Sequence, residues 1–297
     1  MKKPRNQESK KPREMAQFLI FALLISASLI LISGCDPANR DTFVQQFVVQ
    51  GQMYAGHAPE IRLTHTVSPD EQYDPLRAGV SGANVELTAD SQTFQLIERV
   101  SDPRGNGYYG LAPTDTHTVT PGVHYSLVAV IGSDTITAQT TAAGFMNFTQ
   151  PASDSDTTVI VFGAEDFTMR WPLEPHLNRG YWAIIESLNP HHGDDSCWLA
   201  GNAAGPDKRI GQWNSYWSAP PLADSMNTPR ILFQWDGLYR VRVFACDTAL
   251  WFWSSTWVPA AAENCPITNV NGGIGVFTAG GVDTAYFYMA KNPNIHQ

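Results

Sequence analysis

The sequence predicts an all-β protein: two consecutive β-sandwich domains, with one short helix in the second. Three observations lead there. Between residues 43 and 146, short runs rich in Val, Thr and Ile alternate with Gly/Pro turn signals about every eight to twelve residues, the rhythm of an antiparallel sandwich. All nine tryptophans fall between Trp171 and Trp257, so the material available for a core changes partway along the chain. Between the two regions lies NFTQPASDSDTT, residues 147–158, polar and carrying a proline, which reads as a linker. The expected domains are therefore 43–146 and 159–297.

In the first domain the candidate strands are VQQFVVQGQMY, EIRLTHTV, NVELTAD, TFQLIERV, GYYGLA, HYSLVAVIG and DTITAQTTA. HYSLVAVIG shows the reasoning. Successive side chains of a strand point to opposite faces, so Tyr125, Leu127, Ala129 and Ile131 share one face, and that face is core. Gly79, Gly82, Pro103, Gly105, Gly107, Pro121 and Gly122 sit between runs, where turns need a positive or a fixed φ.

The second domain offers TTVIVF, FTMRW, GYWAIIESL, RILFQW, LYRVRVFAC and TAYFYMA, with Trp171 expected in the core, Tyr181 opening the next strand and the polar loop EPHLNRG between them. Residues 189–230 form the longest stretch without strand periodicity and hold Trp198, Trp213, Tyr216 and Trp217. A compact domain rarely keeps so long an irregular segment unused. The segment CDTALWFWSSTWV has two readings. As a strand it puts Trp251, Trp253 and Trp257 on one face; as a helix capped by Asp247 it gives a stripe of Leu250, Trp253, Ser254 and Trp257, with Trp251 off the stripe. The Asp-Thr start favours the helix, whose stripe is expected to pack on the sheet.

The front of the chain is different in kind. Residues 1–17 carry Lys2, Lys3, Arg5, Lys10, Lys11 and Arg13, followed by an apolar run from Phe18 to Ile32, too short for a comfortable membrane span and suited to a secretory signal. Ser33 and Gly34 then precede Cys35, an order that resembles a bacterial lipobox, in which the thiol is acylated and cleavage leaves the cysteine as the new N-terminus. Residues 1–34 are thus expected to be a lipoprotein signal peptide, Cys35 the anchor and 35–42 a tether. The tether from Asp36 to about Thr42 reaches at most about 25 Å. Acyl chains contribute about 0.8 kcal/mol per buried methylene and hold a protein on a bilayer.

Loss of residues 1–34 removes six of the 19 Lys+Arg and two of the 28 Asp+Glu, leaving 13 positive against 26 negative charges. Such an acidic chain is not built for nucleic acid or for anionic head groups, which need Lys/Arg stripes. Cys197, Cys246 and Cys265 remain after Cys35, and an exported chain permits disulfides. The three pairings stay open, with Cys246 and Cys265, the shortest loop, preferred.

FVVQGQM soon after Cys35, then VSGANVEL, GNGYYGL and PGVHYSLVAV…DTITAQTT, resemble in order the N-terminal half of uncharacterised envelope lipoproteins grouped as domain-of-unknown-function family 4249. YRVRVFACDTALWFWSS resembles that family's strand and aromatic helix, and ITNVNGGIGVFTAGG its Asn-x-x-Gly-Gly-x-Gly-x-Phe signature. The resemblance implies an envelope address and an accessory role beside outer-membrane uptake receptors, but no substrate. The first domain is also similar to transthyretin-like or immunoglobulin-like modules, and FTMRWPL…GYWAIIE resembles the strand pair of fibronectin-like sandwiches.

Sites of chemistry are few. The sequence has no Gly-x-Ser-x-Gly elbow, His-Glu-x-x-His, Walker loop or Cys-x-x-Cys. NGGIGVFTAGG fails the dinucleotide pattern at Thr278 and reads as a turn entering the last strands. NPHHGDDSCW gathers His191, His192, Asp194, Asp195 and Cys197, the residues a metal would take, although adjacent histidines point apart and a solvated loop is the preferred reading. Trp213, Trp217 and Trp251 are the candidate stacking surface for a sugar or aromatic ligand. The expectation is a lipid-anchored binding or accessory module, not an enzyme, without cofactor. Its partners are the membrane, an outer-membrane receptor and a small molecule or glycan. A structural or surface-adhesion lipoprotein is the alternative and a hydrolase the third reading. The outer membrane is the expected address, and Asp36, directly after the anchor, which resembles an inner-membrane retention signal, leaves the inner membrane open.

Overall fold

The computed structural model describes residues 43–151, 158–161, 168–188, 191–192, 209–211, 214–219, 222–227, 236–256 and 268–290. Residues 45–297 form one compact unit, distinct from residues 1–44. In chain order its strands are β1 (Phe47–Tyr54), β2 (Glu60–His65), β3 (Asn84–Ala89), β4 (Gln92–Glu98), β5 (Tyr108–Gly110), β6 (His124–Ile131), β7 (Asp134–Thr141), β8 (Thr158–Val161) and β9 (Thr168–Arg170). There follow β10 (Gly180–Ser187), β11 (His191–His192), β12 (Arg209–Gly211), β13 (Asn214–Ala219), β14 (Ser225–Asn227) and β15 (Gly237–Cys246). The helix α1 (Thr248–Thr256) and β16 (Val270–Asn271), β17 (Ile274–Gly280) and β18 (Val282–Ala290) complete the chain. The protein is all-β with one short helix, as the alternation predicts.

Nine strands form one sheet in the order β16-β7-β6-β3-β4-β5-β2-β1-β17. Its two ends share a single core: Val49, Met53, Leu63 and Phe277 from one half meet Val85, Leu87, Leu127 and Ile136 from the other. The sheet therefore folds over on itself as a sandwich. β6 alternates as expected, with Tyr125, Leu127 and Ala129 buried and Val128 and Val130 exposed. The two core tyrosines keep their hydroxyls satisfied, since Tyr109 donates to the Val80 carbonyl at 2.8 Å and Tyr125 accepts from the Thr120 amide at 2.9 Å.

A second sheet runs β13-β10-β15-β18-β8. One face packs on Trp171, Phe148, Met169 and Met226, brought over it by the β14–β9 pair and a bridge from Gln150 to Arg170. Trp171 is 2 % exposed, its indole N–H donates to the Ala223 carbonyl at 3.0 Å, and it lies against Tyr181, so both aromatics hold the core places read for them.

Three expectations are corrected. The first domain does not end at residue 146, because β17 pairs in parallel with β1 from Val48 opposite Ile274 to Tyr54 opposite Gly280, and β16 pairs with β7. Parallel pairing joins residues far apart in sequence and leaves no local pattern to read. Residues 147–151 are not a free linker, since Phe148 is 5 % exposed in the second core and its amide donates to Asp283 Oδ2 at 2.6 Å. The stretch 189–230 is not strandless: it holds β11, β12, β13 and β14, of which β13 pairs with β10 along its whole length. RILFQW lies outside the described residues.

Candidate functional site

The two sandwiches meet where β7, β15 and β17 end, and the group at that seam is Asp247. Its Oδ1 accepts the Leu250 amide at 2.7 Å, which caps the helix as the sequence predicts and satisfies an otherwise orphan N–H. Its Oδ2 accepts the Ala279 amide of β17 at 2.9 Å and the Thr140 hydroxyl of β7. One carboxylate therefore ties the helix to both ends of the first sheet. Burial pushes its pKa above the ordinary aspartate range, against the opposing pull of these donors.

The edge of β17 is sealed in the same manner. The Thr268 hydroxyl donates to the Gly275 carbonyl at 2.7 Å. The Asn269 amide brackets Phe277, accepting from its N–H at 3.0 Å and donating to its carbonyl at 2.7 Å, and also donates to the Gln139 carbonyl at 2.8 Å. The Ala143 amide closes the Ala279 carbonyl at 2.8 Å. Gly275, at φ +113, leaves no room for a side chain, because a Cβ there would stand 2.1 Å from the Val49 carbonyl. Of NGGIGVFTAGG, read as a turn entering the last strands, Gly272 and Gly273 connect two strands and Ile274–Gly280 is β17 itself, and side chains block an edge that would otherwise invite strand addition.

α1 is wedged between the sheets, touching β7, β10, β15 and β17. Leu250 is buried with Phe244 and Cys246, while Trp251 and Trp253 lie half-buried on the same cluster. Trp253 meets Trp182 edge-on at 6.0 Å. Leu250 and Trp253 thus pack as the helix stripe predicted. Trp251 is no open platform. With two sheets to cover, the helix buries more than one side, and Phe252, 47 % exposed, is its outward aromatic. No local signal distinguishes Phe252; its role follows from the phase the seam imposes.

Two clefts flank the first turn of α1. One, about 260 Å³, is lined by His124, Gln139, Thr141, Phe252 and Asn269 among others. The other, about 470 Å³, is lined by His176, Asn178, Arg179 and Asp247. Thr141 and Thr248 line both, so the two clefts adjoin. The EPHLNRG loop builds the wall of the second: the Arg179 amide donates to the Cys246 carbonyl at 2.8 Å, the buried Asn178 accepts from the Gly144 amide at 2.7 Å, and Arg179 Nε reaches the Thr248 hydroxyl at 3.3 Å. The first cleft thus combines the half-exposed Phe252 with hydroxyl, amide and imidazole side chains, and the second carries the Arg179 guanidinium. Asp247, the one carboxylate among the described lining residues, already accepts bonds through both oxygens.

Cys246 carries a free, buried thiol, 3.6 Å from the Phe244 carbonyl, and burial beside Asp247 pushes its pKa well up. The thiol is enclosed beneath α1 with Phe244 and Leu250, and Cys265, the partner expected for it, lies outside the described residues. Cys35, Trp213 and Asp194 lie outside them too. His191 and His192 stand on β11, opposite Gly211 and Arg209, and the backbone of Trp217 pairs with Ala183. Among the described residues there is no cluster of three or more metal-ligating side chains, and no helix long and apolar enough to cross a membrane. No protein-family model matches the chain, and no characterised protein matches it.

Proposed function

We propose that this chain is a lipid-anchored protein of the bacterial envelope, held in the outer membrane through Cys35, that acts as a binding module beside an uptake receptor and uses the seam cleft at Phe252 as its ligand site. The observation that carries the reading is the cleft's make-up. Phe252, 47 % exposed, lines the cleft together with the hydrogen-bonding side chains of Gln139, Thr141, Thr248 and His124. An apolar face beside a few polar groups is what a small ligand with one apolar side and a hydroxyl-rich edge requires, as a saccharide has.

Titration of the mature protein with a panel of neutral oligosaccharides tests this. Saturable binding is expected, and Phe252→Ala should weaken it about 10- to 100-fold, by analogy with stacking of a base on an aromatic ring, with little change in melting temperature. Failure of every saccharide to bind, or wild-type affinity in the variant, sinks the reading. The anchor is tested separately: Cys35→Ser should leave full-length, unacylated precursor in cells, and entry of labelled fatty acid into that variant would overturn the assignment.

A further inference from the structure

We infer that one pole of the first sandwich, displaying Tyr73, Leu76 and Val100, seats directly on the bilayer that holds the Cys35 anchor. The inference rests on the lipid-anchored reading above and goes beyond it, from a protein on a tether to a protein docked in one orientation.

The compact unit begins at Gln45, ten residues after Cys35, so an extended tether places its entry point at most about 35 Å from the lipid surface. At that entry point Gln46 exchanges hydrogen bonds with Thr66, its amide meeting the Thr66 hydroxyl at 2.9 Å and its carbonyl the Thr66 amide at 2.9 Å. The loop from Thr66 to Ala78 therefore leaves the sheet at the same pole. The loop before β5 joins it there, with the Asn106 amide donating to the Leu76 carbonyl at 3.3 Å and Arg62 donating to the carbonyls of Pro75 and Asn106.

These loops are pinned by hydrogen bonds, yet they hold large apolar side chains outward. Asp74 fixes the turn by accepting the Leu76 amide at 2.9 Å on its carboxylate and the Ala78 amide at 3.0 Å on its carbonyl. Tyr73 is 46 %, Leu76 54 % and Val100 81 % exposed. Other apolar side chains of this sandwich are exposed as well, among them Ile97 at 45 % and Val128 at 37 %, but Leu76 and Val100 are more exposed than these and sit with Tyr73 on the two loops of one pole, where a lipid surface within tether reach removes them from water. A Tyr among aliphatic side chains also suits the head-group level of a bilayer. The charges around them are mixed, Asp70, Glu71, Asp74 and Asp102 against Arg77, Arg99 and Arg104, so the seat is one of apolar contact, without the Lys/Arg excess that draws a protein to anionic lipid. The seam clefts then stand at the far end of β1, about 26 Å from the lipid at about 3.3 Å per residue.

Hydrogen exchange tests the seat on the acylated mature protein in nanodiscs of zwitterionic phosphatidylethanolamine and phosphatidylcholine, against residues 36–297 produced without signal or anchor and free in solution. Amides of 67–78 and 99–106 should exchange about tenfold more slowly in the discs, at low and at high salt alike, while 112–118, at the opposite pole, should not change. Leu76→Glu with Val100→Glu should abolish the slowing and leave acylation and melting temperature intact. Slowing at 112–118 instead, or at neither pole of an acylated protein, overturns the seat alone. An N-terminal peptide of unacylated mass overturns the anchor and the seat with it.

Discussion

The first core is made of Val, Leu, Ile and Ala with two buried tyrosines, Phe94, Phe277 and a single methionine, Met53; the second holds Trp171, Tyr181, Tyr239, Phe287 and four methionines, Met146, Met169, Met226 and Met289. The first sandwich folds one regular sheet onto itself, so small branched side chains fill the narrow space and the pattern repeats strand by strand. The second has a five-stranded sheet covered on one face by short pieces of chain and at one end of the other by α1, and irregular gaps of that kind suit bulky rings and flexible thioethers. The difference is one of packing: the regular, edge-sealed sandwich is closed on itself, and the irregular one leaves the seam beside which the two clefts form.

The largest effects test whether the two are separate at all. Trp171→Ala and Phe277→Ala each empty a core position, Phe277 being fully buried, and each should cost about 3–5 kcal/mol. Because β17 runs into β18 through Gly281, whose amide donates to the Gly144 carbonyl at 2.8 Å and whose carbonyl accepts the Ala245 amide at 2.9 Å, both losses should appear in one calorimetric transition. Two transitions, each moved by one substitution, would mean independent sandwiches.

Removal of the tie at the seam comes next. Asp247→Ala strips a partner from Leu250, Ala279 and Thr140 at once and should cost about 2–4 kcal/mol, as loss of a cap together with buried bonds. Asp247→Asn keeps the cap but turns an N–H toward one already occupied by the Ala279 donor, so it should still destabilise. The pH dependence has a definite sign. With its folded pKa raised by burial, Asp247 stabilises most below the ordinary aspartate range, and that contribution is lost as pH rises through the raised value. The melting-temperature gap between wild type and Asp247→Asn should therefore widen on acidification from neutral; a gap that narrows contradicts the burial account.

What could be read in advance follows the same divide. β6, β7 and the core positions of Trp171 and Tyr181 were legible because period-2 alternation and a buried indole are local properties. Asp247 was legible as a cap from the residues that follow it. Its bonds to Thr140 and Ala279 were not, since they depend on strands that lie 107 and 32 residues away. The same long-range closure hid β17, whose glycines read as a turn, and turned NFTQP from linker to core. Phe252 was hidden for another reason: a helix's outward face is known only when the surfaces on both its sides are known.

The smallest effect belongs to the surface of the first sandwich. Arg104 lies 4.0 Å over the Tyr108 ring and forks onto Glu60 at 2.6 Å and Asp102 at 2.7 Å. Its hydrogen bonds hold the Asp102 carboxyl down at about 2. Half-exposed ion pairs contribute little, and a cation over a ring at such a site adds about 0.5–1 kcal/mol. Arg104→Lys keeps the charge and loses the fork, so it should lower stability by less than about 1 kcal/mol, far below either core substitution. Because Asp102 has a depressed pKa, its share is present above the ordinary aspartate range and lost as pH falls through about 2. The gap between wild type and Arg104→Lys should consequently shrink between pH about 4 and pH about 2, opposite in direction to the Asp247 gap. A denaturant series at both ends of that range measures it, and parallel behaviour of the two variants would show that burial does not separate seam from surface as the structure implies.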